Sequence, residues 1–150
     1  MGGNRKKRRT YPDVPERLAS AIVDNHTHLP VRGDRDYAAL SFDVASGVEE
    51  GAGEDSQGSI PWHVARMEAA GVRGAITCGC DIPTLQPTVA LAERWPSLSA
   101  AIGIHPNEAP LHRGITEESP DGMAHGLDPW HRDLSLEDAV AEVAALAVSA

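Results

Sequence analysis

No stretch of this 150-residue chain approaches the roughly 18 consecutive apolar residues a membrane-spanning helix requires. The N-terminus is basic, but no apolar h-region follows it, so no secretory signal is read and a cytoplasmic location is expected. Cysteine is scarce. Cys78 and Cys80, in "ITCGCD", are the only two, and a C-x-C pair on one strand is poorly placed for an internal disulfide. Free thiols in a reducing compartment are the reading; a soft-metal site would need two more ligands at matching spacing. The chain also lacks a Gly-rich phosphate loop of the P-loop or Rossmann kind, and it has no serine nucleophile elbow.

Positive charge is in deficit overall, with a formal net charge of −9. What basic charge there is clusters at the start, where Arg5 to Arg9 are five consecutive basic residues. Residues 1–20 are therefore expected to form a basic, solvated tail, and residues 21–150 the folded part. The acidic body argues against general nucleic-acid binding driven by phosphate neutralisation. The 41% hydrophobic and 23% charged composition fits a globular domain with a real core.

Three strand-then-helix units can be read. The first strand is Ala21 to Asp24. A polar stretch without periodicity follows, Val31 to Ser59, and is expected to be a loop. Ser59 and Pro61 open a helix that Gly71 stops, with Trp62, Ala65, Met67 and Ala69 on its inner side. The second strand, Gly74 to Asp81, is a small-to-apolar run expected to be buried on both faces. Pro87 is tolerable in a first turn, which places the next helix from Leu85 or Gln86 to Arg94, with Val89, Leu91, Ala92 and Trp95 inward. The third strand is Leu98 to His105. A second loop, residues 107–133, precedes an amphipathic helix that starts on a capping-box-like Ser135 and Asp138, with Leu136, Val140, Val143 and Leu146 at apolar spacing.

Alternating strands and helices imply parallel strands joined by right-handed crossovers. The fold class is α/β. A closed barrel needs about eight such units over roughly 250 residues, so about three units read as the N-terminal part of a TIM-like (β/α) barrel. In that architecture the loops after the strands carry the chemistry. The strand-one ending "VDNHTHL" then matters most. His26 and His28 are two apart on an extended chain and point the same way, and paired imidazoles suit a borderline divalent ion. Asp24 shares the face of His26 and is placed to orient an imidazole. His105, in "GIHPNEAP", ends strand three and is the candidate substrate or phosphate contact. His63, His112, His125 and His131, with Glu108 and Asp128, read as solvated polar residues.

The segments "VDNHTHL", "MEAAGVRGAITCGCD", "ALAERWP" and "AAIGIHPNEA" stand in the order and at the places seen in TatD-type metal-dependent deoxyribonucleases, members of the amidohydrolase-like β/α barrels. The chain resembles that family over most of Ile22 to Ala150, the two long loops apart. The resemblance implies a two-metal hydrolase acting on DNA phosphodiesters, holding divalent ions such as Mg, Mn or Zn. It implies that His26 and His28 are the first metal-binding pair and that His105 lies close to the substrate. It also implies a bridging glutamate on a fourth strand, two further histidines and a late aspartate, none of which matches a position here. The "GLD" at Gly126 to Asp128 follows His125 inside a loop and is not that fourth-strand segment. No catalytic residue is therefore assigned, and this chain by itself is expected to be incomplete and inactive. DNA or a small phosphodiester is the expected partner, and no membrane is expected. Two alternatives stand beside this reading. One is another amidohydrolase-like metal hydrolase acting on a lactone, amide or phosphate monoester. The other is a non-catalytic chain with only a binding role.

Overall fold

In the computed structural model, residues 12–29, 31, 59–117 and 126–149 are described. The basic run Arg5–Arg9, nearly all of the acidic stretch between Val31 and Ser59, and His125 lie outside them. Three strands, β1 (Ile22–Thr27), β2 (Val72–Gly79) and β3 (Leu98–Ile102), form one open parallel sheet in the order β1-β2-β3. Among the described residues four α-helices accompany it: α1 (Ile60–Ala69), α2 (Ile82–Arg94), α3 (Pro129–Asp133) and α4 (Leu136–Ser149). This is a mixed α/β arrangement compatible with part of a βα-repeat fold. Among the described residues, no helix is long and apolar enough to cross a membrane.

Local chemistry explains the element ends. Ser59 caps α1 by accepting from Trp62 N at 3.2 Å, and Pro61 occupies the first turn, where its missing N–H has no cost. Gly71 terminates α1 with φ +86°, a left-handed conformation that favours glycine. A Cβ there would sit 3.3 Å from Leu18 N. That segment, residues 12–20, is laid on the end of α1: Leu18 N donates to Ala70 O at 3.0 Å, and Arg17 to Glu68 O at 2.9 Å.

Helix α2 starts a full turn earlier than Pro87 alone suggests. Asp81 caps it through Ile82 N at 2.8 Å, and Thr84 closes a capping box. That reciprocal cap outweighs the bond to Pro83 O that Pro87, inside the helix, cannot make. Strand β2 is half-buried rather than buried on both faces, because its residues alternate between buried and partly exposed. The regular part of β3 ends at Ile102, but the pairing runs on, with Gly103 N to Gly79 O at 3.2 Å and His105 N to Cys80 O at 2.7 Å.

Two apolar clusters hold the elements. Ile60 and Val64 of α1, Ala75 of β2, Leu91 of α2 and Leu98 of β3 form one, with Met67 and Trp95 packed against it. Ile82 and Leu85 of α2 with Ala139 of α4 form the other, joined by Trp130, Val143 and Leu146. The inner side of α1 is thus set by Ile60, Val64 and Met67, while Ala65 and Ala69 are exposed. In α4 the buried line runs through Ala139, Val143 and Leu146, and Val140 is 52% exposed. The Ser135 start holds as read: its hydroxyl donates to Asp138 Oδ2 at 2.7 Å and accepts from Asp138 N at 3.1 Å.

Candidate functional site

The first cluster stands where β1 leaves the sheet. His26 and His28 are exposed, and their Nε2 atoms lie 3.2 Å apart. His28 Nδ1 faces the Cys78 carbonyl at 3.2 Å. A carbonyl only accepts, so Nδ1 carries the hydrogen and Nε2 keeps its lone pair. His26 Nδ1 lies 3.8 Å from Cys78 Sγ. Each ring thus rests one nitrogen against β2 and turns the other toward its neighbour. An imidazole anchored to a backbone carbonyl through Nδ1, as His28 is, has the arrangement of a metal ligand, while His26 rests on the Cys78 sulfur. Two such nitrogens on one tetrahedral ion would stand about 3.3 Å apart, given bonds of ~2.0–2.1 Å. The pair fits a metal ion as two of its ligands.

Asp24 acts on the backbone: its Oδ1 accepts from His26 N at 3.1 Å. It also lines a cavity of about 260 Å³ between β1 and α1, with Arg66, His63 and Met67 among the walls. Cys78 and Cys80 are free thiols. Cys80 Sγ is 3.6 Å from His28 Nδ1. Burial, then the charges of Cys78, Glu108 and Asp81, push the Cys80 thiol above its ordinary range, which keeps it protonated at neutral pH. His105 is exposed beyond β3, its backbone tied to Cys80 O, and its Nδ1 accepts from Asn107 N at 3.1 Å. That contact fixes the neutral ring as the tautomer with hydrogen on Nε2.

The second cluster was not legible as a site in the sequence. His112 and His131 are buried, 6% and 5% exposed, rather than solvated. Both turn Nε2 onto the buried Asp81: His112 to Oδ1 at 3.0 Å and His131 to Oδ2 at 2.8 Å. Glu108 Oε2 stands 3.2 Å from His131 Nε2, so it too is engaged rather than solvated. Trp130 Nε1 donates to Asp81 Oδ2 at 2.6 Å. Asp81, His112 and His131 offer three ligand atoms within 4.8 Å of one another, a buried group that could hold a metal ion. The available signal was weak. Asp81 sits before a helix-opening "IPT", and "DPWH" has the cap-and-proline start of α3, but neither spacing announces that the two histidines fold onto that aspartate.

Together these features define a parallel α/β sheet bearing two histidine clusters at the C-terminal ends of its strands. No family model, curated protein or solved structure matches the chain.

Proposed function

We propose that this chain carries part of the active site of a metal-dependent phosphodiesterase, of the kind its sequence resembles in TatD-type deoxyribonucleases. The observation that carries the reading is the 3.2 Å convergence of His26 and His28 Nε2, with the far side of His28 anchored to the Cys78 carbonyl. Divalent ions bound there would supply an activated water and charge stabilisation at the phosphoryl oxygens. The chain's own residues have simpler tasks. His26 and His28 hold the ion, and Asp24 fixes the His26 backbone. His105 presents an Nε2–H that can donate to a phosphate oxygen, from the end of the neighbouring strand but one.

The test is binding first and turnover second. The full chain is stripped of metal and titrated with Mn2+ by calorimetry, beside His26→Ala/His28→Ala. The double variant is expected to lose at least about tenfold in affinity. Hydrolysis of single-stranded DNA from its 3′ end is then compared with a lactone and a phosphate monoester, with Mg2+, Mn2+ or Zn2+ supplied. Metal binding that ignores the double substitution sinks the site. Binding with turnover only of lactone or monoester moves the protein to another metal hydrolase. Binding without any turnover is the result expected of a chain that carries only part of the active site.

A further inference from the structure

We propose that Asp81, His112, His131 and Glu108 form a second, structural metal site, which takes a borderline ion of the Zn2+ type and is separate from the His26–His28 pair. It does not depend on the phosphodiesterase reading. Adjacent residues at the end of β2 serve the two clusters: Cys80 faces His28, and Asp81 faces His112 and His131.

Three observations carry the assignment. The first is hydrogen accounting. His112 Nδ1 lies 2.9 Å from the Leu134 carbonyl, so it carries the hydrogen. Nε2 of the neutral ring then aims a lone pair at Asp81 Oδ1, 3.0 Å away, and the Asp81 carboxylate offers only lone pairs in return. Either a ring proton or a metal cation must stand between them. An imidazole whose other nitrogen is anchored to a backbone carbonyl is the arrangement of a metal ligand.

The second is charge. Buried Asp81 and partly exposed Glu108 bring two carboxylates together, and among the described residues their ion-pair partners are histidines alone. A single extra ring proton would leave the group negative. A divalent ion balances it, and an uncompensated buried charge is costly.

The third is the donor set. Two imidazole nitrogens and two carboxylate oxygens suit Zn2+ far better than Mg2+. Three contacts, His112 Nε2 to Asp81 Oδ1, His131 Nε2 to Asp81 Oδ2 and His131 Nε2 to Glu108 Oε2, span 2.8 to 3.2 Å, near the edge of a Zn tetrahedron, about 3.3 Å for bonds of ~2.0–2.1 Å. The side chains of His112, His131 and Asp81 are 0%, 1% and 9% exposed. Glu108, the fourth, is 27% exposed, and a site that takes all four ligands from the protein is structural rather than catalytic. The ion would clamp α3 and the 3-10 turn Leu111–Arg113 onto the first turn of α2.

Loading has two local costs: the Trp130 Nε1–H, 2.6 Å from Asp81 Oδ2 and 3.1 Å from His131 Nε2, must turn aside, and His131 must change tautomer. Asp128 N now donates to His131 Nδ1 at 3.1 Å, which puts hydrogen on His131 Nε2. Coordination needs a lone pair there, so the ring hydrogen moves to Nδ1 and this contact must turn or break, while the neutral ring keeps its one hydrogen.

The experiment uses the full chain with His26→Ala/His28→Ala, which removes the first pair. Metal-free protein is titrated with Zn2+ by calorimetry, and with Co2+ by visible absorption. One tight equivalent is expected, with the intense bands of four-coordinate Co2+, a rise in melting temperature, and no competition from Mg2+. His131→Gln should abolish it. Glu108→Gln, at the less buried position, should weaken it about tenfold or more while circular dichroism stays unchanged. Absence of a Zn2+ equivalent in the His26→Ala/His28→Ala protein overturns the proposal and leaves a closed hydrogen-bond network. So does binding that Glu108→Gln and His131→Gln both leave intact.

Discussion

A single histidine illustrates how environment rather than identity sets behaviour. His63 lies early in α1, edge-to-face with Trp62 at 5.1 Å between ring centroids. Arg66 stacks over Trp62 at 4.5 Å. Burial, and secondarily the Arg66 charge, lower the His63 pKa from 6.5. The unfolded chain therefore takes up a proton near pH 6.5 while the folded chain does so only at lower pH. Between those values the unfolded state holds more protons, so stability rises with pH and is lost as pH falls through the folded value. Urea unfolding at pH 7.5 and pH 5.5 should show a smaller stability loss on acidification in His63→Gln than in the parent. Equal losses in both proteins would remove His63 as a source of the pH dependence. Burial of the same kind separates His112 and His131 from their reading as solvated groups. Histidine carries no period of its own, so a sequence cannot say which ring a later turn will bury.

At the scale of elements, the sequence was informative where the signal is local. The Ser59 cap, the Gly71 stop and the Ser135–Asp138 start all depend on residues within one turn, and each stands where it was read. It was less informative where distant partners decide. Helix α2 begins at Ile82 because Asp81 is held by its own cap and by three side chains from the 112–131 region. The His26–His28 pair was readable because strand alternation is also local. Its anchor on Cys78 O was not, because β1 and β2 meet across fifty residues of sequence. The crossing of β2 with α2 yields a sharp prediction. A Cβ on Gly79 would meet Thr84 O and Thr88 Oγ1, both at 3.0 Å, and Thr88 Cβ at 3.3 Å. Thr88 is fully buried, and its hydroxyl has no hydrogen-bond partner among the described residues. Gly79→Ala should cost about 1–3 kcal/mol through overpacking. Adding Thr88→Ala should recover part of it, because one of the two closest atoms is then gone. A double-mutant cycle by urea denaturation measures the coupling, and strictly additive losses would mean the strain lies at Thr84 O alone.

At the scale of the whole molecule, the described residues hold two apolar clusters rather than one, and α2 belongs to both. Leu91, fully buried, faces Ile60, Val64, Ala75 and Leu98, whereas Leu85, at 3% exposure, faces Ile82 and Ala139. Six residues along a helix separate them by about 9 Å, near the range where substitutions stop sharing partners. The first cluster supports the sheet behind the His26–His28 pair. The second supports the α4 side and, through Trp130, the Asp81 network. Leu85→Val and Leu91→Val each remove one methylene and should cost about 1 kcal/mol. If the clusters are energetically separate, the double variant should lose the sum to within about 0.5 kcal/mol. Their local consequences should also differ. Leu85→Val should speed amide exchange in α4, and Leu91→Val should speed it in α1 and β2. A large coupling energy, or faster exchange everywhere from either substitution, would mean that α2 transmits strain along its length and that the two histidine clusters rest on a single cooperative core.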